Sequence, residues 1–267
     1  MEEKLQRFDS YLKQNERSKQ TRQSYMECLR VYFSMYEDIT KENMIEFKNN
    51  EINSHSPNTA RLRVIVLNSY CDFIGKEECK VKNVKIHNPS SVENVPTLQE
   101  YYYFLECLRR DNHMKLYWIL RFIAQTGVRS SELVRLEKSC LSTGSFSMWS
   151  KGKIRKILIP SKLIKESREY FNTVESKYLF PNYKGEQMQS QSISKMLYQY
   201  GKRYYIRTEI LHAHSYRHLF AIQFLENNGN LTLLSNLLGH ENIRTTAIYT
   251  QLSVTKQKEE LDKAVNW

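Results

Sequence analysis

The chain has 267 residues and no apolar run that approaches the roughly 20 residues a membrane-spanning helix requires. Its first residues, Met1-Glu2-Glu3-Lys4, lack the apolar core of a secretory signal. The five cysteines, Cys28, Cys71, Cys79, Cys107 and Cys140, are odd in number and scattered, and no C-x-x-C pair occurs. A disulfide framework and a zinc site are therefore disfavoured, and buried thiols in a reducing compartment fit better. There is no internal repeat, no low-complexity tract and no cluster of carboxylates suited to Mg²⁺. The expectation is a cytoplasmic globular protein that needs neither a metal nor another cofactor and does not engage a membrane.

Positive charge is abundant. The net charge is +11 and the isoelectric point near 9.3. Lys and Arg release counterions from a phosphate backbone, so this balance favours a polyanionic partner. The excess is uneven, with 15 Lys/Arg against 14 Asp/Glu in residues 1–95, but 25 against 15 in residues 96–267.

Residues 2–73 read as four helices. Leu5, Phe8 and Leu12 form one apolar stripe, and Tyr25, Leu29, Val31 and Phe33 a second, behind the capping residues Ser18 and Thr21. A third helix starts at Thr40, and Ser56-Pro57 opens a fourth that carries Leu62, Ile65, Val66, Leu67, Tyr70 and Phe73. Lys19 and Arg22 on helix two, and Arg61 and Arg63 on helix four, are candidate contacts to DNA phosphates. From Lys76 to Pro96 the helical period fades among lysines, Asn88 and two prolines, as in a basic interdomain linker. The boundaries drawn are a helical unit of residues 1–85, a linker of 86–96 and a second unit of 97–267 with a tail from 251.

The second unit opens with helices through Ala124 and a short helix from Ser130. Residues 143–160 alternate as a hairpin whose turn is Lys151-Gly152-Lys153. Helices follow at about 161–174, 191–204, 214–227, 231–237 and 243–250.

Five residues then stand in order, each in its own short motif: Arg129 in Thr126-Gly-Val-Arg-Ser-Ser-Glu132, His214 and Arg217 in His-Ser-Tyr-Arg-His218, His240 after Leu238-Gly239, and Tyr249 in Ile-Tyr-Thr. Arginine offers a planar fork of donors that suits the equatorial oxygens of a phosphodiester under attack. His214 and Arg217, three apart, share one face of a helix. Gly239 would let the backbone approach a phosphate, and Glu132 would brace the loop that carries Arg129. Tyr249 is a candidate nucleophile, and His214 a candidate acceptor of its proton. A sugar hydroxyl leaves poorly without a proton, and Lys151 in the hairpin turn is the best placed general acid, with Lys153 the competing choice. Lys153 and Arg155 are further candidate DNA contacts.

These segments closely resemble the tyrosine recombinase (phage integrase) family. The match covers the first arginine motif, the hairpin lysine at Lys151, the His-x-x-Arg motif, the Leu-Gly-His240 motif and Tyr249, with small departures at Ala213 and Tyr216. The Ser18-x-x-Thr21-x-x-x-Tyr25-x-x-x-Leu29-x-x-x-Phe33 pattern is similar to the family's core-binding helical domain.

The resemblance implies a mainly α fold with a small β-sheet, arranged as a two-domain clamp. A four-helix, SAM-like core-binding domain would precede a mixed α/β-hairpin catalytic domain of the DNA breaking-rejoining type. It also implies site-specific recombination of duplex DNA through a 3′-phosphotyrosyl link and a homo-tetramer on two synapsed sites. Free protein would be a monomer or weak oligomer, and bound protein would sit with the nucleoid. The chain is expected to be a compact, Xer-type form without an arm-binding domain. Its tail, with Leu252, Val254, Leu261, Val265 and Trp267, would link protomers. Readings left open are type IB topoisomerase-like relaxation, a DNA-binding regulator that does not cut, and a ribonuclease or phosphatase built on Arg and His.

Overall fold

The computed structural model describes residues 2–86, 94–150, 153–239, 246, 248, 249, 262 and 265. The chain divides into two compact units, residues 1–88 and 89–267. Lys151, His240 and almost all of the tail from 251 lie outside the described residues, as do most of linker 86–96 and of the helix expected at 243–250.

In the first unit four helices follow one another: α1 (Glu2–Gln14), α2 (Lys19–Met35), α3 (Lys41–Ser54) and α4 (Pro57–Ile74). Side-chain hydroxyls start three of them. Ser18, Thr40 and Ser56 accept from backbone N–H groups in the first turns of α2, α3 and α4. Leu5, Phe8 and Leu12 are buried against Leu29, Tyr32, Phe47, Val64, Leu67 and Tyr70. The buried face of α2 is Met26, Cys28, Leu29 and Tyr32, so Val31, expected in the stripe, points outward. Leu62 of α4 is likewise exposed. One hundred degrees per residue separates each of them from the buried row.

The stretch from Lys76, read as the start of a linker, is a strap on this unit. A 3-10 turn at Glu77–Cys79 leads into extended chain, and Cys79 and Val81 are buried. The Asn68 amide clasps the backbone of Val81, donating to its carbonyl at 2.9 Å and accepting from its N–H at 3.0 Å. Lys48 donates to the Lys82 carbonyl at 2.7 Å and Lys76 to the Ile39 carbonyl at 3.0 Å. Backbone groups without a ladder need such partners, and here lysine and asparagine side chains supply them.

The second unit is built around α6 (Met114–Thr126), whose Leu116, Trp118, Ile119, Leu120, Phe122 and Ile123 are buried. It packs against α5 (Leu98–Arg110), α7 (Ser130–Leu133), α9 (Ser161–Asn172), α10 (Ser190–Arg203) and α11 (Ala213–Glu226). A short α8 (Cys140–Thr143) leads into the hairpin, β1 (Ser145–Ser150) paired antiparallel with β2 (Lys153–Leu158). Register sets Met148 opposite Arg155 and Trp149 opposite Ile154. Alternation turns Met148, Arg155 and Ile157 inward and leaves Trp149 and Ile154 exposed. After α11, α12 (Leu231–Leu238) ends at Gly239 in the left-handed conformation. No helix among the described residues is long and apolar enough to cross a membrane.

Asn68→Ala leaves both backbone groups of Val81 without their partner. The expected cost is about 2 kcal/mol, or roughly 30-fold faster hydrogen exchange at the Val81 amide. Unchanged exchange there would mean that the strap is held by other contacts.

Candidate active site

The site forms where α12 ends. An α-helix leaves its last carbonyls without intrahelical donors and concentrates partial negative charge there. Three guanidinium groups meet those carbonyls, each from a different element. Arg155 on β2 donates to the Leu237 carbonyl at 2.9 Å, Arg217 on α11 to Leu238 at 2.6 Å, and Arg129, just before α7, to Gly239 at 3.2 Å. His240 follows directly in sequence.

Glu132 braces two of the three. Its Oε1 accepts from Arg129 at 3.0 Å and also from Arg155, while its Oε2 accepts from the Arg129 backbone N–H at 2.9 Å. That last bond fixes the start of α7. Arg217 also donates to the Gly127 carbonyl. Gly127 sits at φ +61, and a Cβ there would lie 2.5 Å from the Phe220 ring, so glycine is required at the turn that delivers Arg129. Gly239 is confined in the same way. A Cβ on it would lie 2.6 Å from Arg155 Nε, so the space expected to admit a phosphate is taken by the Arg155 side chain.

Charge is poorly balanced here. Among the described residues this cluster sets three guanidiniums against one carboxylate. Arg217 is 3% exposed. Burial, then the charges of Arg129 and Arg155, bring its pKa down to about 9 against the opposing pull of Glu132. It stays protonated at neutral pH, and an incoming anion would relieve the repulsion.

Tyr249 closes the other side. Its ring packs with Ala221, Leu234 and Leu238, and the residue is 8% exposed. Burial raises the pKa of its phenol, opposed by Arg217. The hydroxyl lies 2.5 Å from Nδ1 of His218. His214, which the sequence offers as the partner of this hydroxyl, stands on the exposed side of α11, its ring centre 5.9 Å from that of His218. Partial desolvation, then Arg217, His212 and Arg129, lower the pKa of His214. His218 escapes a motif-based reading because the His-x-x-Arg pattern ends one residue earlier. Its spacing, four after His214 and hence on the same helix face, is the signal that finds it.

Three expected DNA contacts are otherwise engaged. Arg155 is 8% exposed and tied to Glu132. Arg22 pairs with Asp9 at 2.5 Å, and Arg63 with the buried Glu51 at 2.6 Å. Arg155 faces inward on β2, while Arg22 and Arg63 are half-buried and lie within reach of these carboxylates. Lys19 and Arg61 are exposed, and Lys153 occupies the hairpin end, in register with Ser150.

Residues 97–256 match the model of the phage integrase family. The chain belongs to the phage integrase family. It is a tyrosine recombinase. Over 96% of its length it is 25% identical to the TnP I resolvase of Bacillus thuringiensis, covering 97% of that protein. It is 27% identical to the tyrosine recombinase XerA of Pyrococcus furiosus, over 98% of this chain and 94% of that one. In fold it is similar to a lambda integrase fragment, solved as a dimer bound to a core site, with a TM-score of 0.76 at 18% identity over 93% of this chain and 94% of that one.

In this recombinase Arg155→Met removes a buried ion pair and leaves Glu132 with one fewer partner. The expected loss is about 3 kcal/mol of stability in urea unfolding. Unchanged stability combined with a DNA affinity whose salt slope falls by about one would return Arg155 to the phosphate contacts.

Proposed function

We propose that this recombinase cuts and rejoins duplex DNA at specific sites through a 3′-phosphotyrosyl intermediate on Tyr249. The observation that carries the proposal is the convergence of the Arg129 and Arg217 guanidiniums on the end of α12, against which the buried Tyr249 ring also packs. A pentacoordinate phosphorus places negative charge on its equatorial oxygens, and preorganised donors at such a point supply the largest catalytic term. The Tyr249 oxygen bonds to phosphorus as the bond from phosphorus to O5′ breaks. The phenol proton passes to a base, for which His214 is the candidate that the motif offers, and O5′ takes a proton from Lys151, or from Lys153 as the competing acid. His240 adds a donor to the phosphate. The 5′-hydroxyl of a partner strand then reverses the step on the new junction, so the bond is conserved without nucleotide or metal.

The substrate is double-stranded DNA, bound in the cytoplasm and held with the nucleoid. Lys19 and Arg61 of the first unit contact its phosphates. The working assembly is a homo-tetramer on two synapsed sites, with the tail from 251 linking protomers. Free protein is a monomer or weak oligomer.

The test is covalent capture from a pool of nicked duplexes with a randomised segment, in which a cut strand end diffuses away and traps the adduct. Wild-type protein is expected to form an adduct that resists denaturant, in excess EDTA and without nucleotide. Tyr249→Phe should retain DNA binding and form none. Arg129→Ala should slow single-turnover cleavage about 100- to 1000-fold. An adduct with Tyr249→Phe, or a strict Mg²⁺ requirement for cleavage, would overturn the reading.

A further inference from the structure

His218 stands one residue past the His-x-x-Arg pattern and has no role in it, yet it makes the contact to Tyr249. Its Nδ1 lies 2.5 Å from the Tyr249 hydroxyl, and the two rings are 5.5 Å apart, inclined at 48°. Resting on the assignment of Tyr249 as nucleophile, we infer that His218 is a positioning residue, whose neutral Nδ1 accepts the phenol hydrogen and holds the hydroxyl beside Arg217.

Each group's surroundings fix the direction of that bond. A phenol is a good donor, and a neutral imidazole nitrogen the better acceptor. Burial first, then His214, Arg217 and His212, bring the pKa of His218 down to about 4, while burial raises that of Tyr249 above its ordinary 10.0. Both groups are uncharged at neutral pH. The phenol therefore holds its proton far more tightly than the imidazole would. His218 thus accepts a hydrogen bond but does not take the proton, which sets it apart from a general base. Nδ1 is the acceptor, so Nε2 carries the imidazole hydrogen.

The need for such a partner follows from packing. The Tyr249 ring is held on its apolar side by Ala221, Leu234 and Leu238. Those contacts fix the ring plane but not the hydroxyl hydrogen, and a buried hydroxyl without an acceptor is costly. α11 presents Arg217 and His218 consecutively, so the helix that supplies a phosphate donor also supplies the tether of the nucleophile. A small displacement of the attacking oxygen costs a large factor in rate.

Two substitutions separate acceptance from proton transfer. His218→Leu keeps apolar bulk and removes the acceptor. His218→Asn offers an amide oxygen near the position of Nδ1 that accepts a hydrogen bond but takes no proton. The measurement is single-turnover adduct formation on a nicked duplex recovered from the randomised pool, with DNA retention and thermal melting followed in parallel. His218→Leu is expected to slow the step about 30-fold with binding intact, and His218→Asn to restore it to within about 5-fold of wild type. Wild-type rates with His218→Leu would overturn the inference, as would His218→Asn as slow as His218→Leu, which would make proton uptake the role. Should His218→Leu unfold, His218→Asn against wild type decides alone, a loss beyond about 5-fold counting against it. If wild type forms no adduct, the assignment of Tyr249 fails and this inference with it. A wild-type adduct together with a normal His218→Leu rate overturns this inference only.

Discussion

The end of α12 is the constraint on which the site depends. Carbonyls of Leu237, Leu238 and Gly239 would each lack an intrahelical donor, and each receives a guanidinium N–H. The three arginines come from a strand, a helix and the loop before a short helix. One helix terminus therefore ties the β-hairpin, α11 and the Arg129 loop to a common point. Glu132 ties two of those arginines to each other and, through the Arg129 backbone, to the start of α7. In sequence, His240 follows Gly239 and Lys151 precedes Arg155 by four residues.

The same joint concentrates charge. Carbonyl dipoles and the Glu132 carboxylate act on all three positive charges, and burial together with Arg129 and Arg155 lowers the pKa of Arg217 at the centre. Like charges brought together at a buried point repel, and a bound anion relieves that repulsion. A phosphodiester does so, and the negative charge it gains on attack meets donors that need not move. Arg155 contributes by support: it occupies the space that Gly239 leaves open and holds the carboxylate that orients Arg129. Tyr249 enters the same field from the apolar side, its hydroxyl 2.5 Å from Nδ1 of His218.

Local chemistry made most of the elements legible in sequence. Capping hydroxyls at Ser18, Thr40 and Ser56, the proline at the start of α4 and the alternation through residues 145–158 each fix an element by short-range physics. Long-range pairing was less visible. Lys48 and Lys76 look like solvated charges in sequence, but turn to backbone carbonyls of distant residues. Arg22, Arg63 and Arg155 read in sequence as phosphate contacts, and their carboxylate partners, 12 to 23 residues away, are visible only in the fold. Motif order carried Arg129, His214, Arg217 and Tyr249 into the reading, because spacing on a helix and glycine at a turn are local signals. The partner of Tyr249 was not among them, since only the fold brings residue 249 back to residue 218.

The most direct measurement is the identity of the residue that carries DNA after cleavage. Adduct captured on a nicked duplex is digested with protease and nuclease, and the nucleotide-bearing peptide is sequenced by mass spectrometry. The account predicts one modified peptide, with a 3′-phosphate esterified to Tyr249 and a free 5′-hydroxyl on the released strand. Attachment to any other residue, or a link through the 5′-phosphate, would contradict it.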